Sequence, residues 1–535
     1  QDFPKDFVSP INIPIELVGN FAELRKNHFH TGIDIRTNQV EGIPIISIQN
    51  GYVSRINISS VGYGNALYID HPNGYTSVYA HLQQFNNKIK DFIVKKQYEL
   101  KQNEIDFYPK KNDLIVLKGD TIGLSGNSGG SQGPHLHFEI RDTKTENALN
   151  PFLFNFNVKD SKNPLFNEIY IYPITGKING SENKFLLPHS KKEIKGFGSF
   201  GIGIKTYDKH DALENLNGIY SIKVYSNNEL IFNFKANEIS FKRPRLINSI
   251  TDYNANINEG SWIYKCFKSN GNDLKLIYKT INNGIIELEK EKTKKIKIEV
   301  TDFANNITFK EFSVSGMEKE LVVSKEKNQF KTDTQFLKYN EESKIKTENI
   351  EIIFPKGVFD DDLNFELTEL EDGYKLHNYN FPALDYFTIN AKPKLENLTN
   401  INKVVFVRHF KNGGTPKTEY ITGKVIKDRL VGNFRDFGVY KFKVDDDLPV
   451  IKNKKKNNNK VTNKLQFTLF DTISGIQNYE AFIDDKWILC VFDKKFNSLT
   501  INLDDSILVG KHKIIVKATD KVNNLNEISF DFEKL

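Results

Sequence analysis

Along most of this chain, apolar and β-branched residues alternate with polar ones in short runs punctuated by Gly and Asn, as in PIISIQNGYVSRINI, ALYIDHPNGYTSVYAHL and DLIVLKGDTIGLSG. A period of two is the pattern of half-buried strands, and the punctuation marks hairpins. His71-Pro72-Asn73-Gly74 is the clearest turn, with Asn-Gly between two apolar runs. One stretch departs from the pattern. From about Asn86 to Gln102, Ile89, Phe92, Ile93 and Tyr98 recur at near-helical spacing among lysines, which predicts a helix inserted between strands. The expected class is therefore all-β with one small helical insertion.

A self-similarity organises the rest. KIKIEVTDFANNITFKEFSV (295–314) and KIIVKATDKVNNLNEISFDF (513–532) carry Thr-Asp-x-x-Asn-Asn at the same place, and IKTYD with NGIYSIKVY (204–225) parallels FTLFD with SGIQNYEAFI (467–483). Two copies of one strand-rich unit predict two immunoglobulin-like sandwiches. Between them, EIIFPKGVF and GVYKFKV are the clearest strands of a further β unit. The predicted division is 1–157, 158–316, 317–447 and 448–535, the last three being β-sandwich modules of immunoglobulin-like kind. At 535 residues the chain is too long for a single core, which agrees. KNKKKNNNK, 452–460, is read as a linker or exposed loop. The Thr-Asp-x-x-Asn-Asn tails cluster oxygens but lack the spaced ligands and Gly of an EF-hand loop, so they are read as strand-end turns.

Composition changes this picture little. With 74 Lys and Arg against 68 Asp and Glu, the net charge of +6 is a thin excess, and no basic stripe interleaved with aromatics appears, so nucleic acid is not an expected partner. No apolar run approaches the roughly 20 residues that span a bilayer. Cys266 and Cys490 are too few and too far apart for a disulfide framework and are expected to be buried. The sequence begins at Gln1 without an initiator Met, a charged leader or an apolar leader core, as expected of an exported protein, periplasmic, envelope-bound or extracellular, after signal removal.

The chemistry concentrates in the first unit. KNHFHTGIDIRT, 26–37, holds His28, His30 and Asp34; GNSGGSQGPHLHFEIRD, 126–142, holds His135 and His137; SVYAHL contributes His81. In a strand, residues i and i+2 share a face about 6.6 to 6.8 Å apart. One histidine of the His135-Leu136-His137 pair can thus bind a metal while its neighbour faces the same site. Thr-Gly-Ile-Asp-Ile favours a loop entering a strand, which brings His30 and Asp34 together. Two nitrogens and one carboxylate from His30, Asp34 and His137 form a set that suits zinc, which in catalytic sites keeps three protein ligands and one open position. The Gly-rich loop from Gly123 to Gly133 lacks the Lys-Ser/Thr of a phosphate cradle and leads into a strand.

His30-x-x-x-Asp34, Tyr79-Ala80-His81-Leu82 and Gly-Pro-His135-Leu136-His137-Phe138-Glu139, in that order, resemble the three signatures of lysostaphin/LytM-type zinc metallopeptidases, over about residues 15 to 155. The resemblance implies that His30, Asp34 and His137 bind Zn2+ and that His81 and His135 are catalytic, with their roles not divided between them. It implies hydrolysis of peptide bonds in peptidoglycan stem peptides or cross-bridges. The alternatives are an extracellular protease acting on Gly-rich proteins and a cell-wall-binding or regulatory protein without turnover. Glu139 is expected to be a solvated carboxylate, His28 a rim residue and His71 a turn residue, with Arg25 and Asp70 as polar neighbours. The insertion between His81 and Asp113 is longer than the simple family pattern. It could wall the groove, act as a lid or serve packing alone.

Overall fold

The computed structural model describes residues 3–154, 156, 158–318, 334–454 and 460–535. The first unit is built on an antiparallel sheet whose main path runs Leu17–Gly19, Ile33–Arg36, His135–Asp142, Tyr75–Ala80, Ala66–Asp70, Gly51–Ile58 and Ile105–Phe107. A smaller sheet of Pro44–Ile46, Thr121–Leu124 and Gln84–Phe85 shares its core, where Ile45, Phe85 and Ile122 join Ile33, Leu67 and Phe138. Strand alternation explains what the central strand does. Leu136, Phe138 and Ile140 point to the apolar side and are fully buried, contributing about 2 kcal/mol each. The intervening His135, His137, Glu139 and Arg141 therefore share the opposite face.

The predicted helix is present at Asn87–Leu100. Asn86 caps it by accepting from the Ile89 amide at 3.0 Å, and Lys101 ends it in the left-handed conformation at φ 49°. Ile89 and Ile93 bury its apolar face.

The chain is all-β in class, as its alternating pattern predicts. Beyond the first unit, Leu165–Ile178 and Glu193–Tyr207 pair along most of their length within a ten-stranded sheet. Six- and five-stranded sheets then enclose Phe354, Phe365, Phe387 and Phe434, and four- and five-stranded sheets enclose Phe467, Leu469, Ile501 and Val516. The two Thr-Asp-x-x-Asn-Asn segments are strand-end turns, with Asn305 and Asn523 at φ 69° and 64°. Cys266 and Cys490 are free and buried. Among the described residues, no helix is long and apolar enough to cross a membrane.

Three features depart from the sequence reading. Residues 452–460 are not one exposed loop: Val450–Asn453 and Lys460–Val461 are strands, and 455–459 lie outside the described residues. A short helix, Tyr253–Glu259, stands in the second unit, capped by Asp252 and ended by Gly260 at φ 68°. The first and second units also share a core, in which Phe21, Ala22, Phe29 and Ala148 pack with Phe232, Phe234 and Ile250. Ala148–Leu149 pairs with Glu238–Ile239, continuing the first sheet across that contact.

Candidate metal centre and active site

Three segments meet at the polar face of the central strand. Register places His137 opposite Asp34 on one side and Ala80 on the other, and His81 follows Ala80 directly. Residues opposite each other in adjacent strands hold their Cβ atoms about 5 Å apart, which is why two distant signatures converge. His30 enters from the loop between the strands His28–Phe29 and Ile33–Arg36. Gly32 lets that loop press onto the central strand, since a Cβ there would lie 2.4 Å from the Phe138 carbonyl oxygen.

The His30 Nε2, Asp34 Oδ1 and His137 Nδ1 atoms stand 3.1, 3.0 and 2.8 Å from one another. All three side chains are buried. Donors on a tetrahedral zinc at about 2.05 Å would be about 3.3 Å apart, so this set fits the ion with small adjustment. Each ligand is aimed from behind. The Nδ1–H of His30 donates to the Asn20 carbonyl at 2.7 Å, leaving Nε2 for the metal. Arg25 holds the second oxygen of Asp34 at 2.6 Å. The Nε2 of His137 faces Glu139 at 2.9 Å, leaving Nδ1 for the metal. Fixing the second nitrogen of a ligating imidazole sets its orientation and raises its basicity.

Glu139 is not solvated. It is fully buried and is met by Thr31 at 2.5 Å, Tyr63 at 2.6 Å and Arg141 at 2.6 Å as well as by His137. A buried carboxylate persists only when charged partners replace water, and Arg141, two residues along the same strand face, does so. Burial opposes its ionisation, but Arg141 and His137 outweigh that and hold its pKa below the usual carboxylate range. Burial pulls the His137 pKa down, yet Asp34 and Glu139 overcome it and push the value up to about 9.

His81 and His135 flank the metal set, their rings 4.9 Å apart. Both are fixed through Nδ1: His81 to the Ser128 carbonyl at 2.9 Å and His135 to the Gly133 carbonyl at 2.8 Å. In the neutral rings this leaves each Nε2 unprotonated, and that of His135 lies 3.4 Å from Asp34 Oδ1. Burial, with His137 and His135 nearby, pushes the His81 pKa down to about 3. His81 also adopts φ 60°, a conformation that costs a non-glycine residue about 1 kcal/mol or more and is concentrated at functional sites. The Gly-rich loop that supplies both carbonyls packs backbone to backbone on residues 62–64, where a Cβ on Gly129 would meet the Gly64 nitrogen at 2.3 Å.

Of the other residues singled out from sequence, Arg25 reaches the site, whereas His28 is exposed and its ring faces the Lys26 carbonyl. His71 opens its turn but is buried, held by Asn50 and Ser77. Asp70 lies elsewhere, accepting from Ser54 and Thr76. Sequence reading missed Asn20, Thr31, Tyr63 and Arg141. Of these, only Arg141 had a signal, its i+4 position on the His137 face.

The helical insertion carries a docking surface. Asn103 donates to the Tyr479 carbonyl at 2.8 Å and accepts from the Cys490 amide at 2.8 Å, and Tyr98 meets Trp487 edge-on at 5.2 Å. From the same final unit, Lys495 donates to the Asn127 and Ser131 carbonyls of the Gly-rich loop.

Comparison with known proteins bears on this unit. The family model for peptidase family M23 matches residues 28–98 and 102–151, and that for a Zu5-like domain matches 334–445. The chain is 34% identical over 112 residues to DD-carboxypeptidase/endopeptidase Mpg of Neisseria meningitidis, 21% of this chain and 20% of that one. It is 27% identical over 128 residues to lysostaphin of Staphylococcus simulans, 23% of this chain and 21% of that one. These matches span about a fifth of the relatives' length. The catalytic domain of the prophage-encoded M23 protein EnpA of Enterococcus faecalis aligns with 25% identity over 29% of this chain and 98% of that one, at a TM-score of 0.20.

Proposed function

We propose that this chain, whose first unit is a LytM-type metallopeptidase domain of peptidase family M23 and hence a hydrolase, is an exported zinc-dependent endopeptidase acting on peptidoglycan. Its substrate bonds lie in stem peptides or cross-bridges. The observation that carries this reading is the convergence of His30, Asp34 and His137 on one buried point, with the Nε2 atoms of His81 and His135 beside it, that of His135 3.4 Å from Asp34 Oδ1.

His30, Asp34 and His137 would hold the zinc, oriented by Asn20, Arg25 and Glu139. The ion supplies Lewis acidity toward the scissile carbonyl and the attacking water. The residues do the rest. His135, alone or together with His81, each anchored through Nδ1, presents the base that accepts the proton of the attacking water. The resulting imidazolium N–H stabilises the tetrahedral oxyanion and returns the proton to the leaving amine. A Gly-rich rim with little side-chain bulk suits an extended peptide bearing small or D-configured residues.

Incubation of the whole protein with chemically defined peptidoglycan, followed by mass spectrometry, tests this. New amine termini at one stem or bridge bond, lost with His137→Ala and after chelation, are expected. Intact peptidoglycan despite one bound zinc per chain moves the substrate to Gly-rich or other extracellular proteins, and absence of bound zinc overturns the reading.

A further inference from the structure

The repeated segments of the second and fourth units bring acids together at the joint each makes with the unit before it. Asp302 accepts from the Asn306 amide and side chain at 2.9 and 2.8 Å, and Asp520 accepts from the Asn524 amide and side chain at 2.8 and 2.7 Å. The same asparagine side chains reach back to the preceding connection, Asn306 to the Asp160 carbonyl at 3.3 Å and Asn524 to the Asp445 carbonyl at 2.8 Å. Asp160 thus corresponds to Asp445, Asp302 to Asp520, and Asp208 to Asp471 at the end of the matching strand.

The joints differ in what lies among the carboxylates. In the first, an imidazole is present: His210 stands 3.5 Å from Asp160 and 3.9 Å from Asp208. In the fourth unit the position two past Asp471 is Ile473, which packs with Val405 and Val522. Carboxylate oxygens of Asp445, Asp471 and Asp520 lie within 4.8 Å of one another there. Among the described residues, none of the three forms a salt bridge. Asp445 is fully buried, and among the described residues its Oδ1 has no hydrogen-bond partner, while Oδ2 accepts from the Ser474 amide at 3.0 Å. Burial, with Asp471 and Asp520 facing it, pushes the Asp445 pKa up. A buried carboxylate oxygen without a donor, set against two more carboxylates, calls for a cation.

We propose that Asp445, Asp471 and Asp520 form a calcium site that locks the last unit onto the one before it. The donors are all oxygen, and the three come from the inter-unit connection and from the ends of two strands in different sheets, an irregular oxygen set of the kind calcium tolerates and magnesium does not. Lys403 does not substitute for the ion, since its ammonium goes to the Val522 carbonyl at 2.9 Å and Asn524 Oδ1 at 2.6 Å. Closing this joint would fix the last unit, whose Lys495 touches the Gly-rich loop beside the peptidase site.

The test is calorimetric titration of the whole 535-residue, zinc-loaded chain with calcium chloride, against Asp445→Asn, Asp471→Asn and Asp208→Asn. Extracellular calcium modules bind at about 0.1–1 mM, and calcium at ten times that constant should raise the unfolding midpoint of the last unit by about 8 °C. The Asp445 and Asp471 variants should each bind one calcium fewer than the parent and lose the shift, whereas Asp208→Asn should keep both. Absence of saturable binding up to about 10 mM, or binding unchanged in both the Asp445 and the Asp471 variants, overturns the proposal. Should neither variant fold, hydrogen exchange on the parent decides. Calcium must slow amides at 471–476 and 520–524, and unchanged exchange there overturns it equally.

Discussion

Glu139 and His137 share one face of one strand, and the Glu139 carboxylate lies 2.9 Å from the His137 Nε2 while the other ring nitrogen of His137 faces Asp34 at 2.8 Å. The carboxylate therefore sets which nitrogen is offered to a metal. Glu139→Gln should lower zinc affinity about 10- to 100-fold in chelator competition, with the fold retained by circular dichroism. An affinity equal to the parent's would show that Glu139 serves packing alone.

His81 and His135 lie beside the His30, Asp34 and His137 cluster proposed to hold zinc, and not within it. Replacing either by Ala should reduce kcat by about 10²- to 10⁴-fold while zinc content stays at one per chain. Metal analysis alongside peptide hydrolysis checks this. Loss of zinc together with activity would move that histidine into the ligand set.

Asp436 joins the second and third units. It receives Arg245 at 2.5 Å and Arg408 at 3.2 Å, and Arg245 is almost wholly buried. Burial raises the Asp436 pKa, but Arg245 and Arg408 outweigh it, so the folded value lies below the ordinary one. The sign follows: the unfolded chain takes up the proton first, so the stabilisation is complete above about pH 4 and is lost as pH falls through the folded value. Asp436→Asn should destabilise this joint by about 3 kcal/mol at pH 7, because it leaves Arg245 buried without a carboxylate. Urea unfolding at pH 7 and pH 3 should show the difference between parent and variant shrinking in acid. A difference independent of pH would rule the charge out.

Asn103 bridges the helical insertion to the last unit through two hydrogen bonds, worth together about 2 kcal/mol. In Asn103→Ala the Cys490 amide should exchange at least about tenfold faster, while amides in the strand Lys464–Phe470 keep their rates. Unchanged exchange at Cys490 would mean that Tyr98 and Trp487 hold the contact without it.

Much of the site could be read from sequence because its determinants are local. Gly-Pro-His135-Leu136-His137 encodes both face and spacing, and period two alone puts the histidines opposite Leu136 and Phe138. The burial of Glu139 could not be read that way, since it depends on Thr31 and Tyr63, which arrive from loops distant in sequence. The insertion was legible as a helix through Ile89 and Ile93, but not its partner, because Asn103 and Tyr98 are ordinary surface residue types until the last unit meets them. The shared core of the first two units escaped for the same reason: Phe21 and Phe29 fit the core of either unit by composition, and only the path of the chain sends them to the second. The acids of the repeat showed as turns, which they are. Their meeting with Asp445 needed a third segment.

Lys495 and Asn127 are 368 residues apart in sequence, yet they touch. In polymer terms the molecule is a ring closed by a non-covalent clasp. Closing so long a flexible loop would cost about 5 kcal/mol, which contacts between successive units along the way, Arg245 with Asp436 and Asn524 with Asp445 among them, help to offset. The middle units then act as a gauge whose length sets where the last unit lands. A residue inserted into a strand pairing of the middle units would shift the last unit and so be felt at the Gly-rich loop that Lys495 touches.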